Sequence, residues 1–528
     1  MQSRQKRYRL SVEDSDAFWA QEASRLLDWH RAWDGVQNCS FEPQAVTVEW
    51  FPGAQLNAAY NCLDRHLPMR AQQVAFFWEP EDPETTPRRV LTYQDLYDAV
   101  CRASRGLRSM GIRPGDRVAL YMPMIPEAIV AMLACARIGA IHTVVFGGFS
   151  PAALSERLLD SGAKVLITAD AGRRAGKVIP LKANADAALA LMRGALASGA
   201  DSKSREDVGI QKVVVVQHTG ESVAWNPQQD MQWTDLGANC PDQDASPAWV
   251  SSQHPLFILY TSGSTGAPKG LVHGTGGYLL YAASTFESVF DYRPGDVYWC
   301  AADIGWITGH SYLVYGPMAL GATSVLFEGA PSYPDASRIW QVIDRYQVTQ
   351  LYTAPTLIRS LMSQGDAFLQ GSSRGSLRVL GSVGEPINPE AWHWYHDRVG
   401  QGRCAVVDTW WQTETGGHLI TPLPADRPHK AGCATQPFWG VRPVLLNPQG
   451  QVLEQPGATG ALCISKSWPG QAITLWKDHP RFVATYFTPY PGYYYSGDGA
   501  MRDAQGDYWL QGRMDDVVNV AGHRLGTA

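Results

Sequence analysis

Residues 260–270 read YTSGSTGAPKG, directly after the apolar run Leu256, Phe257, Ile258, Leu259. Hydroxyls at Thr261, Ser262, Ser264 and Thr265 are interleaved with Gly263, Gly266 and Gly270, and Lys269 adds a positive charge. This mixture suits phosphate. Glycines let a backbone approach a ligand closely, successive N–H groups and hydroxyls surround its oxygens, and a lysine balances their charge. A surface turn after a buried strand has the same composition, so the stretch alone leaves both readings open. A Walker A loop does not fit, because Pro268 removes an N–H before Lys269 and Gly270 follows where Ser or Thr is required. No G-x-G-x-x-G stands between a strand and a helix, which leaves a dinucleotide fold without support.

A chain of 528 residues is long enough for two to four units around sizeable cores. Its net charge of −6 argues against a general nucleic-acid or membrane-surface binder. No stretch approaches the roughly 18 apolar residues of a membrane span, and the basic start MQSRQKRYRL lacks the apolar core of a signal peptide. Nine scattered cysteines without a CxxC pair fit reduced thiols, hence a cytoplasmic protein.

The elements that must hold the loop alternate. Phe18, Trp19, Leu26, Leu27 and Trp29 are candidate packing residues in a helical and irregular first segment. Strand-length apolar runs then begin at Val74 and Val118, at 164–168, and at 213–217, 256–260, 297–302, 324–327 and 404–407. Helical spacing lies between them, over Glu127 to Ile138 and from Ser150-Pro151 onward. The pattern predicts α/β layers with buried, mostly parallel strands. Loops are expected at 194–207 and 364–375, and short strands with many turns from about 440.

YTSGSTGAPKG resembles the signature loop of the adenylate-forming superfamily: acyl-CoA synthetases, peptide-synthetase adenylation domains and luciferases. GSVGEPINPEAW (381–392), DTWWQTETGG (408–417), YYSGDGAMRD (494–503) and GRMDDVVNVAGHRLGTA (512–528) agree with it in the family's order. ADIGWITGHSYLVYGP (302–317) and FPGAQLNAAYNCLDRHL (51–67) resemble the acetyl-CoA synthetases in particular. The resemblance implies an α/β fold, the large N-terminal domain of these enzymes, with two mostly parallel subdomains and a smaller β-rich one. Residues 1–60 would be an extension packed on a main domain of 61–514, and 515–528 a hinge and the start of a C-terminal domain. It also implies activation of acetate by ATP and Mg²⁺ to acetyl-AMP, then transfer to coenzyme A, with propionate a weaker substrate. No nucleic acid or membrane partner is expected, and the oligomeric state stays open.

Carried over residue by residue, the resemblance has Thr261 to Gly266 and Lys269 grip the β- and γ-phosphates, Thr413 contact the α-phosphate and Glu414 coordinate Mg²⁺. Gly384, Glu385 and Pro386 would flank the adenine on one side, and Asp408, Thr409, Trp410, Trp411 and Gln412 on the other. Asp498 and Arg513 would hold the ribose and Arg524 the phosphate. Trp411 would floor a small acyl pocket walled by Ile307, Thr308 and Val383. Gly148, Arg174, Lys177, Thr308, Ser332, Ala354 and Ala521 would serve coenzyme A. Lys177, Ser332 and Ala521 depart there from the usual arginine, asparagine and serine. Arg513 and Asp515 would mark the hinge. No PKTRSGK-like motif follows, so the sequence is expected to be a truncated form lacking the C-terminal lysine, one that binds its ligands but turns over poorly.

Overall fold

The computed structural model describes residues 4–197, 209–238, 240, 245–261, 268–426, 429–514, 518–520 and 523–525. Three sheets organise them. The first has eight strands, in the order Asp230–Gln232, Lys212–Val216, Val165–Ala169, Arg117–Tyr121, Ile141–Val144, Pro255–Thr261, Lys269–Gly274 and Thr474–Leu475. It is parallel up to Pro255–Thr261 and antiparallel beyond. The second has seven, Ala405–Asp408, Val379–Ser382, Gln350–Thr353, Val297–Cys300, Thr323–Phe327, Val74–Glu79 and Arg89–Thr92, and only the last pair is antiparallel. Pro443–Leu446, Thr459–Ile464, Tyr494–Arg502 and Tyr508–Arg513 make an antiparallel third.

The short apolar runs become strands because helices cover both faces of the parallel sheets, leaving Val165–Ala169 and Ala405–Asp408 buried at every residue. Helix Pro126–Ile138 is buried almost throughout and ends at Gly139, whose φ of +74° suits a residue without Cβ. Helix Pro151–Ser161 starts where Ser150-Pro151 predicts, the Ser150 hydroxyl accepting from the Ala153 N–H. One boundary moves. Helix Leu181–Ala197 absorbs the first four residues of the loop expected at 194–207, because alanine and leucine favour helix strongly enough to carry Gly194. The remainder of that loop lies outside the described residues.

Helices Arg4–Glu13 and Ser15–Leu26 pack onto the main body, with Trp19 fully buried between Trp50 and Tyr281. Phe18, Leu26 and Leu27 are buried with it, and Trp29 partly so. All nine cysteines are free thiols, seven of them buried. Among the described residues no helix is long and apolar enough to cross a membrane.

The carboxyl ends of the two large sheets face one another. Glu328, just past Thr323–Phe327, meets the His218 ring from beyond Lys212–Val216 at 2.6 Å. The Trp78 indole donates to the Met124 carbonyl at 3.0 Å, again across the two sheets. In open α/β sheets ligands bind beyond the carboxyl ends of strands, which directs attention to the loops that follow them.

Candidate active site

Strands Pro255–Thr261 and Lys269–Gly274 pair with Thr261 opposite Lys269, so the two ends of the glycine- and hydroxyl-rich stretch stand side by side. Ser262, Gly263, Ser264, Thr265 and Gly266 lie outside the described residues. Thr261 Oγ1 is buried and without a hydrogen-bond partner among the described residues. Lys269 Nζ donates to the Tyr486 hydroxyl at 3.4 Å and lies 5.4 Å from the centre of that ring.

In the second sheet Thr353 pairs with Ser382 and Ser382 with Asp408, bringing three consecutive loop starts together. Ala354 follows the first and caps helix Pro355–Ser363. Val383 to Pro386 follow the second. Gly384 has φ +95°, and a Cβ there would meet nothing within 4 Å, so this turn opens onto free space. The Glu385 carboxylate accepts from Arg359 Nη2 at 3.0 Å through both oxygens. Burial pushes the Asp408 carboxyl up to about 7, and the Ser382 hydroxyl offsets part of that rise. Thr409 Oγ1 donates to the Ser382 carbonyl at 2.8 Å and lies 2.7 Å from the Tyr352 hydroxyl.

Trp410, Gln412 and Asp498 form the next layer. The Trp410 indole and the Gln412 amide both donate to Asp498 Oδ2, each at 2.9 Å. Gln412 also donates to the Ser496 carbonyl at 2.7 Å, while its own carbonyl accepts from the Tyr494 hydroxyl at 3.0 Å. Arg513 Nη1 donates to the same Ser496 carbonyl at 3.0 Å and stands 3.8 Å from Asp498 Oδ1. Burial raises the Asp498 carboxyl; Arg513, Trp410 and Gln412 pull it back. Glu414 sits on the tight turn Thr413–Thr415, and its Oε1 accepts from the Tyr486 hydroxyl at 2.6 Å. Burial, and then the charge of Glu414, raises the Tyr486 phenol far enough for it to remain a donor.

Trp411 is half-buried. Its ring meets Tyr312 edge-on at 5.0 Å and His418 at 5.5 Å, and its Nε1 donates to the Tyr352 hydroxyl at 3.1 Å. Ile307 and Val383 are buried, and Thr308 lies beside Ile307 in the turn leading into the wide helical segment His310–Tyr315 that carries Tyr312.

Arg174 and Lys177 pair across a two-stranded hairpin, Gly172–Arg174 with Lys177–Ile179, and both are exposed. The Arg174 guanidinium lies 5.5 Å from the Phe146 ring, and Gly148 sits so close to that ring that a Cβ would be 2.5 Å from it. The hairpin tip at Gly176 approaches Tyr333, the neighbour of Ser332. Buried Glu81 fastens this corner by accepting from the N–H groups of Ala175, Gly176 and Ala330. Ala354 is positioned by the second sheet instead. Arg524 lies in strand His523–Leu525, paired with Asn519, and nothing is described of its side chain. Asp515 and Ala521 lie outside the described residues.

Several residues of the cleft carry no signature of their own in the sequence. Tyr352 joins Thr409, Trp411 and His418 through one hydroxyl, yet it reads as an ordinary strand residue. Tyr486 and Tyr494 stack at 5.6 Å and 20° and link Glu414 to Gln412. Tyr494 opens the YYSGDGAMRD motif with no role assigned to it there, and Tyr486 lies outside every motif. Glu81 gave no hint.

No group of three or more His, Cys, Asp or Glu able to hold a metal occurs among the described residues. A magnesium ion that arrives with nucleotide phosphates needs only one or two protein carboxylates, and Glu414, held by Tyr486, which also accepts from Lys269 at the end of the glycine- and hydroxyl-rich stretch, fits that demand. The open turn at Gly384 leaves room for a flat ring, and Asp498 is an acceptor at the cleft wall. Fold and cleft together define a nucleotide-using α/β enzyme.

The AMP-binding enzyme family matches residues 63–471, and the chain belongs to it. Residues 4–62 match the acetyl-coenzyme A synthetase N-terminus. Acetyl-coenzyme A synthetase 2 of Pseudomonas putida is 56% identical over 525 residues, covering 99% of this chain and 78% of its own length. The acetyl-coenzyme A synthetase of Pseudoalteromonas atlantica is 56% identical over 522 residues with the same coverage. Among solved structures, acetoacetyl-CoA synthetase from Streptomyces lividans superposes with a TM-score of 0.86 at 26% identity, over 99% of this chain and 76% of its own. The expectation of a truncated form that lacks its C-terminal domain and turns over poorly is withdrawn, since these comparisons lend it no support: the relatives match this chain over 99% of its length, and the chain spans 78% of theirs.

Proposed function

We propose that the chain is an acetate–CoA ligase that uses ATP and forms AMP. The carboxylate oxygen of acetate attacks the α-phosphorus of ATP, the bond to pyrophosphate breaks, and acetyl-AMP remains. The thiol sulfur of coenzyme A then attacks the acetyl carbon, AMP leaves with the bonding electrons, and the thiol proton goes to solvent. The observation that carries this reading is the meeting, at the carboxyl ends of 379–382 and 405–408, of an open turn at Gly384, the Trp410–Asp498–Gln412 cluster and the Trp411 indole packed on Tyr312.

In this reading the adenine lies between Gly384 to Pro386 and Asp408 to Gln412, with the ribose on Asp498 and Arg513. Asp498 suits ribose hydroxyls because two fixed donors hold its Oδ2 and leave Oδ1, 3.8 Å from Arg513, to meet a ligand. Lys269 and Thr261 serve the phosphates, with Arg524 a further donor to them. Thr413 and Glu414 serve the α-phosphate and the cation. Bound magnesium would supply charge neutralisation of the phosphates as pyrophosphate leaves. The indole of Trp411, braced by Tyr312 and His418, supports a short acyl pocket with Ile307, Thr308 and Val383 as walls, hence acetate ahead of propionate. The Arg174–Lys177 hairpin, with Gly148, Ser332 and Ala354, suits the phosphorylated nucleotide and thiol arm of coenzyme A. Names of relatives at 54–56% identity support the same substrates.

The test is thioester formation from acetate, ATP and coenzyme A, followed together with binding of a non-hydrolysable acetyl-adenylate mimic. Acetate-dependent thioester and saturable binding lost in Asp498→Ala are expected. A chain that binds ATP with no acetate-dependent product and no affinity for the mimic refutes the reading.

A further inference from the structure

Tyr486 touches both charged groups on the phosphate side of the cleft. Its hydroxyl donates to Glu414 Oε1 at 2.6 Å and accepts from Lys269 Nζ at 3.4 Å. The residue is only 4% exposed, and it lies in helix His479–Tyr486, far in sequence from both partners. Its ring is fixed by Tyr494, stacked at 5.6 Å, and by Phe482 at 5.4 Å. A hydroxyl on such a wall has little freedom, so the carboxylate it holds inherits that order.

We propose that Tyr486 is a positioning residue that presents Glu414 to a divalent cation carried by nucleotide phosphates. This rests on the proposed role of Glu414. With Oε1 held by the phenol, Oε2 is the oxygen left to face the cation, and the carboxylate meets it in one orientation. The same hydroxyl accepts from Lys269 and keeps that cationic side chain beside the carboxylate at the loop's edge. Tyr494 extends the wall to the other end of the cleft, because its own hydroxyl orients Gln412 and through it Asp498. Tyrosine is needed for the hydroxyl, and any aromatic ring would satisfy the packing.

Tyr486→Phe separates the two, since it keeps the ring and deletes one oxygen. Binding of a non-hydrolysable ATP analogue is titrated against Mg²⁺ in the parent, Tyr486→Phe and Glu414→Gln, with AMP binding in the absence of metal as the control. Loss of one charge-assisted hydrogen bond predicts that Tyr486→Phe needs about five- to tenfold more Mg²⁺ for half-saturation. AMP affinity and thermal midpoint should stay close to those of the parent, and Glu414→Gln should show a larger shift in Mg²⁺ demand. A shift in Glu414→Gln with none in Tyr486→Phe overturns the positioning role alone. No shift in either variant removes Glu414 from the cation and overturns both. Equal losses of AMP and Mg²⁺-dependent binding in Tyr486→Phe would assign the hydroxyl to general packing and also overturn the proposal.

Discussion

Replacing Trp411 with glycine tests the proposed floor of the acyl pocket. The indole is half-buried, edge-on to Tyr312 and His418, and bonded to the Tyr352 hydroxyl. Its removal orphans nothing, since Tyr352 retains Thr409 at 2.7 Å and His418 at 2.9 Å. Truncating a fully buried tryptophan costs about 3–5 kcal/mol, so this half-buried one should cost about 2–3, with about 1 more for the backbone freedom of glycine. The folded protein should survive with a lower midpoint. In the proposed pocket the vacated volume lies where a longer acyl chain would extend. At about 0.8 kcal/mol per buried methylene, the three that separate a pentanoyl from an acetyl group are worth about 2.4 kcal/mol, or about 60-fold in affinity. Calorimetric titration with non-hydrolysable acyl-adenylates from acetyl to pentanoyl measures this. Affinity should fall with chain length in the parent and rise in Trp411→Gly, while Trp411→Phe lies between. A folded glycine variant that binds the acetyl mimic and rejects longer ones as the parent does would refute Trp411 as the floor.

Asp408 supplies a pH signature. Its carboxyl titrates near 7 in the folded chain against an ordinary value of 3.8. The folded state therefore holds a proton that the unfolded state has lost, and stability falls as pH rises between those values, by at most about 4 kcal/mol. Asp408→Asn should flatten that fall, seen as a thermal midpoint that gains on the parent from pH 5 to pH 8. Asp498→Ala should weaken adenylate binding by about tenfold or more, because it removes the acceptor and leaves the Trp410 and Gln412 donors facing a void. Glu81→Ala strands the N–H groups of Ala175, Gly176 and Ala330, so coenzyme A affinity should drop several-fold while the acetyl-adenylate mimic binds as before. Arg174→Ala should weaken coenzyme A binding and reduce its salt dependence, measured by titration at two ionic strengths.

Local patterning made much of this protein legible before any fold was known. Runs such as Val165–Ala169 announce buried parallel strands because helices cover both faces, and Ser150-Pro151 marks a helix start because its hydroxyl and fixed φ satisfy the first turn. The motifs holding Thr261, Gly384, Trp411, Glu414 and Asp498 were legible through their resemblance to the adenylate-forming enzymes, since each sits in a short contiguous stretch. Alanine-rich residues 194–197 were misread as loop because neighbouring glycine and serine outweighed local helix propensity.

What the sequence determined by itself was therefore the layered α/β architecture and the residue types of the cleft. Only the tertiary structure decided which of them touch. Asp498 and Trp410 are 88 positions apart, and Tyr486 and Glu414 are 72. Such pairings arise when strands far apart in the chain are stacked side by side and a third sheet closes over their carboxyl ends. Propensity and periodicity extend over a turn or a strand, so they carry no record of that closure. The same limit hid Tyr352 and Glu81, whose roles consist entirely of distant partners. It also bears on the carboxyl of Asp408, whose affinity for its proton is set by the depth at which the fold buries it.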